Sequence, residues 1–296
     1  MVKSKKMRVY QAVINVILIL VTLTIVVPLI LLFISSISSE KSLIANGYSF
    51  FPSEFSLEGY RYIWQNKGTV LRAYGMTIVV TAIGTVINVL LSAMMAYALS
   101  NTKLLFRRAI NFFIFFTMIF SGGLVPAYIM WTSTFHIKNT IFALLVPNLL
   151  LSPMNVILIR TYMMTSVSSA LYEAAQIDGG GHRVCFLNVA LPLSKPILVT
   201  MGLFAGLAYW NDWTNGLYYL TDPKLYSVQV LLNKMIQDIQ AIQANSVAAA
   251  AGTAMTVPQI SIRMAIAFVA LLPILIIYPF LQKYFAEGIA LGSVKG

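Results

Sequence analysis

Long apolar runs without a charged residue constrain this chain more than any other feature. Residues 10–39 and 73–102 contain no Asp, Glu, Lys or Arg, and each is longer than the roughly 20 apolar residues that cross a bilayer as a helix. The chain is 59% hydrophobic and 10% charged, whereas soluble domains are about 25% charged. The sequence therefore predicts an all-α integral membrane protein.

Six transmembrane helices are predicted from such runs, in a single domain covering residues 1–296. The spans lie at about 13–36, 73–100, 107–131, 138–160, 195–219 and 262–284. The segments that connect them include two long loops, 37–72 and 220–261, and the segment 165–192. The first apolar run is too long for the core of a cleaved signal peptide, so we interpret it as an uncleaved span.

The distribution of basic residues predicts the orientation, because cytoplasmic segments of membrane proteins collect Lys and Arg. If the N-terminus is inside, twelve of the 20 Lys and Arg residues lie on the cytoplasmic side, and the short segment Thr102–Arg108 is strongly basic. Both termini are therefore expected in the cytoplasm. The net charge of +11 is explained by this topology, so we predict no nucleic-acid partner.

The segment 165–192 is the most informative of the predicted cytoplasmic loops. Its sequence predicts a helix, a turn at Gly179–Gly181 and a second helix that Pro192 stops or bends. Composition alone leaves two interpretations of a short helix at the inner face. It is either an interfacial connector or a docking element for a cytoplasmic partner.

The residue spacing in this segment resembles the signature of ABC-importer permeases. The matching residues are Glu173-Ala174-Ala175, Gly179, Val189 and Leu191-Pro192. The resemblance implies a type I ABC importer permease fold, in which this segment is the coupling helix that seats on an ATPase. The residues that it implies for this contact are Glu173, Ala174, Ala175, Asp178, Gly179, Leu191 and Pro192.

Further motifs resemble the carbohydrate-uptake branch of these permeases, and within it the smaller permease of maltose-type transporters. The motifs are the C-terminal Gly292–Gly296, Phe51-Pro52, Trp210-Asn211 and Ser121–Pro126, the last resembling a subgroup that serves complex oligosaccharides and polysaccharide fragments. The resemblance implies import of an oligosaccharide across a bacterial plasma (inner) membrane by alternating access. A non-carbohydrate solute stays an alternative, whereas a secondary transporter or channel is disfavoured because the spans hold almost no charge.

The resemblance also implies partners and excludes a catalytic role. The sequence has no Gly-x4-Gly-Lys-Ser/Thr phosphate loop, and we predict neither an enzyme nor a metal site. No cofactor is expected in this chain, because ATP and Mg would be bound by a cytoplasmic ABC ATPase dimer. The other expected partners are a second, homologous permease and an extracytoplasmic substrate-binding protein, either a lipoprotein or a periplasmic protein.

Candidate residues for the substrate path combine aromatic faces with hydrogen-bonding groups, as sugar sites require. One group is Tyr209, Trp210, Asn211, Asp212 and Trp213, although an interfacial aromatic belt has the same composition. Asn88 and Asn148 lie within spans and are either interhelical hydrogen-bonding groups or pore-lining residues. In the second long loop, Ala244–Thr256 corresponds by position to a segment that contacts the binding protein in relatives, or is a flexible tip. The contact candidates there are Gln243, Asn245 and Thr253.

Overall fold

The computed structural model describes residues 5–246 and 259–293, and the regular elements in these ranges are helices. They are α1 (Lys5–Ser36), α2 (Glu40–Asn46), α3 (Glu58–Gln65), α4 (Lys67–Ser100), α5 (Arg107–Ile119), α6 (Leu124–Ile129), α7 (Phe142–Leu145), α8 (Pro153–Ser166), α9 (Ser169–Ile177), α10 (His182–Val184), α11 (Leu191–Leu193), α12 (Lys195–Trp210), α13 (Thr214–Tyr219), α14 (Val228–Ser246) and α15 (Gln259–Ser293). Stretches of π-helix follow α6 at Met130–Thr134 and α10 at Cys185–Ala190, and a 3-10 turn, Pro223–Leu225, precedes α14.

Three of the described helices are long and apolar enough to cross a membrane alone, within Val9–Ser36, Lys67–Ser100 and Ile260–Ile277. Two bent pairs also qualify if each is one span. They are Arg107–Ile119 with Leu124–Thr134, bent by 111°, and His182–Leu193 with Lys195–Trp210, bent by 79°. The described residues therefore offer up to five candidate spans, and the count of six stays a prediction.

The predicted span at 138–160 is not one continuous helix. It consists of α7 and α8, separated by residues 146–152 that are not helical. Proline explains the break, because Pro147 and Pro153 lack the backbone N–H that a helix interior needs. Asn148 between them adopts a left-handed conformation with φ 63°. The apolar length of this region is sufficient for a span, but its two prolines prevent a straight one.

Contacts divide the chain into two compact units, and one comprises the described residues up to Gly68 together with Lys234–Pro273. In this unit an isolated antiparallel bridge joins Ser38 to Phe55. The Ser39 hydroxyl accepts the backbone N–H of Ser42 and so caps α2. The 18-residue apolar window of α1 contains no residue that is buried within this chain.

The start of α15 is fastened to α2 and α3 in the same unit. The Glu40 carboxylate accepts the backbone N–H groups of Ile260 and Ser261 at 2.9 and 2.8 Å. These donors belong to the first turn of α15, where a helix provides no acceptor for them. Gly59 of α3 lies against the same turn, since a Cβ there would be 2.7 Å from the Ser261 carbonyl oxygen and 2.8 Å from the Ala265 Cβ.

The other unit comprises Thr69–Asn233 and the chain from Ile274 onward. Within it α8 packs against α5 and α12, and α13 packs against α7. It contains two clusters of buried side chains. The first, named the α7 core, is formed by Val80, Ile137, Ala143, Leu144, Leu145, Tyr209, Tyr219 and Leu220. The second, named the α8 core, is formed by Ala96, Ile159, Met163, Ala190, Ile197 and Met201.

Candidate functional site

Helix α9 and the glycine turn after it have the structure that the sequence predicts for the segment 165–192. The turn begins at Gly179, whose φ of 81° is in the left-handed region that favours glycine. The Gly180 N–H donates to the Ala175 carbonyl at 2.8 Å, and a Cβ on Gly180 would lie 2.6 Å from that oxygen. A side chain at Gly180 would therefore open the turn.

The second helix of this segment runs through α10, the π-helical stretch and α11 to Pro192 and then bends. The Ser194 N–H still donates to the Ala190 carbonyl at 3.0 Å, and α12 leaves at 79° to the preceding helix. Pro192 and Pro196 on either side of Ser194 explain the bend, because neither supplies a backbone donor. The predicted role of Pro192 in redirecting the chain is confirmed.

One face of α9 is fixed to the membrane helices by Tyr172. Its ring centroid lies 6.0 Å from that of Tyr97 on α4, and Tyr97 in turn lies 5.3 Å from Phe186 in the π-helical stretch. The fully buried Cys185 thiol lies 4.0 Å from the Tyr172 carbonyl oxygen. Tyr172 and Phe186 both pack against the α8 core, so α9 rests on a buried, packed cluster.

The opposite face of α9 carries most of the predicted ATPase contacts. Glu173, Ala174, Asp178 and Gly179 are exposed and Ala175 is partly exposed. Further along the chain, Leu191 is half-buried and Pro192 is exposed. The geometry thus leaves the signature residues of α9 accessible while Tyr172 holds the helix in place.

Ile177 on α9 is a residue that the sequence analysis missed. Its side chain is 86% exposed, although it is a large aliphatic group between the polar Gln176 and the acidic Asp178. A single exposed aliphatic side chain is ordinary on a protein surface, so Ile177 is a contact candidate because it lies beside the exposed signature residues Ala174 and Asp178. An apolar residue in the last turn before the glycines was the available sequence signal.

Some of the predicted substrate-path residues meet at a cavity of about 260 Å³ in the unit that contains Thr69–Asn233. The lining residues are Asn88, Asn148, Leu149, Ser152, Met154, Asn155, Leu158, Phe204, Ala205, Ala208 and Tyr209. The cavity therefore brings together Asn88 of α4, Asn148 of the non-helical break before α8, and Tyr209 of α12. Its lining is apolar with neutral amide and hydroxyl groups, which suits a ligand with hydroxyl groups and CH faces.

Side chains from three helices satisfy the carbonyls exposed by the break at residues 146–152 and the turn before it. The donor–acceptor pairs are Tyr209 Oη to Leu145 O at 2.9 Å, Asn215 Nδ2 to Pro147 O at 3.0 Å and Asn88 Nδ2 to Leu149 O at 2.6 Å. Non-helical backbone at membrane depth persists only where protein groups or a water-filled cavity satisfy it. These bonds explain how the break is stable beside the cavity.

Asn88 is an interhelical hydrogen-bonding group as well as a lining residue. Its Oδ1 accepts from Asn155 Nδ2 on α8 at 2.9 Å, and its side chain is 2% exposed. Asn148 is exposed and lies in the left-handed region, which asparagine tolerates better than most residues. Asn88 is therefore both an interhelical hydrogen-bonding group and a lining residue of the cavity. The Asn148 side chain, in contrast, stays accessible.

The remaining aromatic and polar candidates after Tyr209 do not line the cavity. Trp210 is buried, whereas Asn211 is exposed and Trp213 is 42% exposed. Asp212 Oδ1 accepts the backbone N–H groups of Thr214 and Asn215 at 3.1 and 3.2 Å. From the position before the N-cap residue Trp213, Asp212 therefore satisfies two backbone donors in the first turn of α13, which is a local role for one oxygen of this carboxylate.

The predicted binding-protein contacts fall mostly outside the described structure. Gln243 and Asn245 lie in α14, but their side chains are outside the described residues, and Thr253 lies outside them entirely. Their roles stay predictions. In the ranges that the structure describes, no group of three or more His, Cys, Asp or Glu side chains is placed to hold a metal ion.

Comparison with known proteins identifies the family. Residues 88–291 match the family described as binding-protein-dependent transport system inner membrane component. The chain belongs to this family. It is therefore an integral membrane protein and a translocation component of an ABC transport system, not an enzyme. The matched region contains the cavity, α9 and the bend at Pro192.

Individual relatives agree with this assignment over nearly the whole chain. The polygalacturonan/rhamnogalacturonan transport system permease protein YtcP of Bacillus subtilis is 33% identical over 98% of this chain and 100% of its own length. The protein LplC of the same organism is 33% identical over 92% of this chain and 90% of its own length.

A solved structure supports the fold. One chain of a bacterial ABC transporter involved in the import of the acidic polysaccharide alginate is 28% identical, with a TM-score of 0.78, and the match covers 96% of this chain and 99% of that chain. The chain therefore has the type I ABC importer permease fold that the sequence resemblance implied.

Proposed function

We propose that this chain is one of two homologous permease subunits in an ATP-driven importer of oligosaccharides. The observation that carries the proposal is the two-sided character of α9. Tyr172 fixes one face to the membrane helices, while Glu173, Asp178 and Ile177 lie exposed on the other. A rigidly supported helix with an accessible mixed surface is suited to transmit the movement of a partner.

The proposed ATPase contact combines an apolar anchor with charges at its edge. Ile177 supplies the apolar group, and the small residues Ala174 and Gly179 allow a partner backbone to approach closely. Glu173 and Asp178 can pair with basic groups on the partner. A few central, desolvated residues carry most of the affinity of a protein interface, and we assign Ile177 the largest share because it is the large apolar side chain of this surface.

Movement of α9 can reach the cavity through the α8 core. Tyr172 packs on this core, and so does Leu158 of α8, which also lines the cavity. Packed interiors shift as discrete units rather than deforming continuously. Closure of the ATPase dimer would therefore move the cavity wall with α9, which is the step that alternating access requires.

The proposed substrate class is an oligosaccharide, and acidic polysaccharide fragments are the first to test. The relative YtcP is named for polygalacturonan/rhamnogalacturonan transport, and the solved neighbour belongs to an alginate importer. The cavity offers neutral hydrogen-bonding groups in an apolar lining. A second permease subunit would complete the path, and an extracytoplasmic binding protein would deliver the sugar. Both termini of this chain would lie in the cytoplasm.

Transport by the whole complex in proteoliposomes tests this function. The complex is reconstituted with its binding protein, and uptake of oligogalacturonides is measured with ATP and with a non-hydrolysable analogue. Uptake that requires ATP hydrolysis supports the proposal. Uptake by this chain alone, driven by an ion gradient, would exclude it, and ATP-driven uptake of only a non-carbohydrate solute would exclude the substrate class.

A further inference from the structure

Two arginines share one backbone acceptor at the end of α4. Arg107 Nε donates to the Leu99 carbonyl oxygen at 2.8 Å, and Arg160 Nε donates to the same oxygen at 3.3 Å. Leu99 lies in the last turn of α4, where the carbonyl groups receive no hydrogen bond from a backbone N–H of the same helix. The carbonyl thus brings two guanidinium groups together, although their like charges repel each other.

No carboxylate balances this pair within α4, α5 and α8 or in the segments that join them. The chain contains no Asp or Glu between Glu58 and Glu173, so α4, α5 and α8 cannot neutralise their own arginines. A guanidinium has five N–H donors. The recorded partners of Arg107 are Leu99 O and, through Nη2 at 3.3 Å, the weak acceptor Met164 Sδ, and the only recorded partner of Arg160 is Leu99 O. Most of the donors are therefore left for an anion.

The surroundings of the pair fit a lipid better than a soluble anion. Leu105 and Phe106 precede Arg107 and are 74% and 72% exposed. Helix α5 then continues with exposed aromatic side chains at Phe112 and Phe113. Apolar side chains directly beside arginines at the end of a membrane helix match a phospholipid, whose acyl chains and phosphate lie side by side. Basic pockets between transmembrane helices bind anionic headgroups in this way.

We propose that Arg107 and Arg160 form a binding site for the phosphate of an anionic phospholipid headgroup, with Leu105 and Phe106 against its acyl chains. The site is separate from the cavity and from the exposed face of α9. The bound phosphate would supply the negative charge that the arginine pair lacks and would tie the end of α4 to the start of α5 and the middle of α8. The proposal does not depend on the transported substrate.

The test measures lipid binding to the purified transporter complex by native mass spectrometry. Phosphatidylglycerol is titrated into wild type and into the variants Arg107→Gln and Arg160→Gln. Each substitution is expected to weaken binding about fivefold or more, because it removes a charge-assisted hydrogen bond to the phosphate and not only a surface charge. Arg107→Lys and Arg160→Lys retain the charge, so they should recover most of the binding and show that the fold is intact.

Arg108→Gln is the matched control. Arg108 is the exposed neighbour of Arg107 on the same helix, and its substitution removes the same charge. Less than a twofold change in this variant, beside fivefold losses at Arg107 and Arg160, supports a built site. Equal losses at all three positions would reduce the site to general surface charge and overturn the proposal, as would unchanged binding at Arg107 and Arg160.

Two further arms identify the source of the anion. Phosphatidylcholine carries the same phosphate, but its choline cation leaves the headgroup without net charge. It should therefore bind more weakly than phosphatidylglycerol. Inorganic phosphate that displaces phosphatidylglycerol at equal concentration would assign the site to a soluble anion and contradict the lipid. Loss of the ATPase from the Arg107→Gln complex with unchanged lipid binding would assign the arginines to a protein carboxylate instead.

Discussion

At the scale of single residues, Gly84 on α4 determines where the Tyr209 ring can lie. A Cβ at Gly84 would be 2.6 Å from Tyr209 Cε1, and the Tyr209 hydroxyl is bonded to the Leu145 carbonyl. Gly84→Ala should therefore displace the ring into the cavity, with an overpacking cost of about 1–3 kcal/mol. The measurement is thermal unfolding of the purified complex together with its uptake rate.

Gly75→Ala is the control for Gly84→Ala. It makes the same change in the same helix, but a Cβ at Gly75 would meet nothing within 4 Å. Removal of a helical glycine should then stabilise by about 0.5–1 kcal/mol. If both variants were equally stable and active, the close contact between α4 and Tyr209 would not position the cavity wall.

Asn88 should contribute to stability because it donates to a carbonyl that the chain break exposes. Asn88→Ala leaves the Leu149 carbonyl and the Asn155 amide without their recorded partner, at a cost of about 1–3 kcal/mol. Asn211→Ala removes an amide that is exposed and bonds only to its own helix at Leu207, so it should change stability by less than about 0.5 kcal/mol. Equal unfolding temperatures for the two variants would contradict this role of Asn88.

At the scale of elements, the seat of α9 depends on a neutral Tyr172. Burial, with smaller effects of Tyr97 and Cys185, raises the pKa of Tyr172 from 10.0 to about 12. In an undocked segment the phenol ionises near pH 10, whereas in the docked segment it stays neutral until about pH 12. The contribution of Tyr172 to docking is therefore complete below pH 10 and is lost as the pH rises through 12.

The single cysteine of the chain reports this loss directly. Cys185 is buried beneath α9, so its alkylation by iodoacetamide measures opening of the segment. Between pH 10 and 12, wild type should react faster than Tyr172→Phe at each pH, because phenylalanine keeps the ring and cannot ionise. Identical rates for the two proteins over this range would show that ionisation of Tyr172 does not loosen α9.

Glu40 should hold the first turn of α15 in place. Glu40→Ala removes the acceptor for two backbone donors and a negative charge at a helix N-terminus, with an expected loss of about 1 kcal/mol. Hydrogen exchange of the Ile260 and Ser261 amides should accelerate about fivefold, the equivalent of that free energy. Lys41→Ala, an exposed change at the next position of α2, should leave these amides unchanged. Unaltered exchange of these amides in Glu40→Ala would contradict the role of Glu40 as a cap of α15.

Sequence patterns predicted the elements with local causes and missed those set by packing. The glycine turn at Gly179 and the bend at Pro192 follow from backbone chemistry, so they were predictable. The broken segment between α7 and α8 depends on donors from Asn88, Tyr209 and Asn215, which are distant in the chain. Composition therefore suggested one straight span, and it also could not distinguish Tyr209 in the cavity wall from the neighbouring Trp213 outside it.

At the scale of the whole molecule, the exposed face of α9 and the cavity are joined through one packed support, the α8 core. The α8 core lies under α9 through Tyr172 and reaches the cavity through Leu158. The proposed direction of energy flow is from the ATPase to α9, and from the α8 core to the cavity. Neither surface performs chemistry by itself, which agrees with a translocation component whose energy comes from another subunit.

The central claim is that the ATPase docks on the exposed face of α9, and quantitative co-purification tests it most directly. The complex is expressed with a tagged ATPase, and the amount of this chain recovered per ATPase is measured for wild type, Glu173→Ala, Ile177→Ala and Ile129→Ala. Ile129 is a similarly apolar residue, 54% exposed on α6, and serves as the control.

We expect Ile177→Ala to lower the affinity for the ATPase at least about fivefold, as for a residue at the centre of an interface. Glu173→Ala should lower the affinity less. Ile129→Ala should leave it unchanged. Thermal unfolding first checks that the double variant Glu173→Ala/Ile177→Ala is folded. If this folded variant still recovered the full amount of ATPase, docking on α9 would be contradicted.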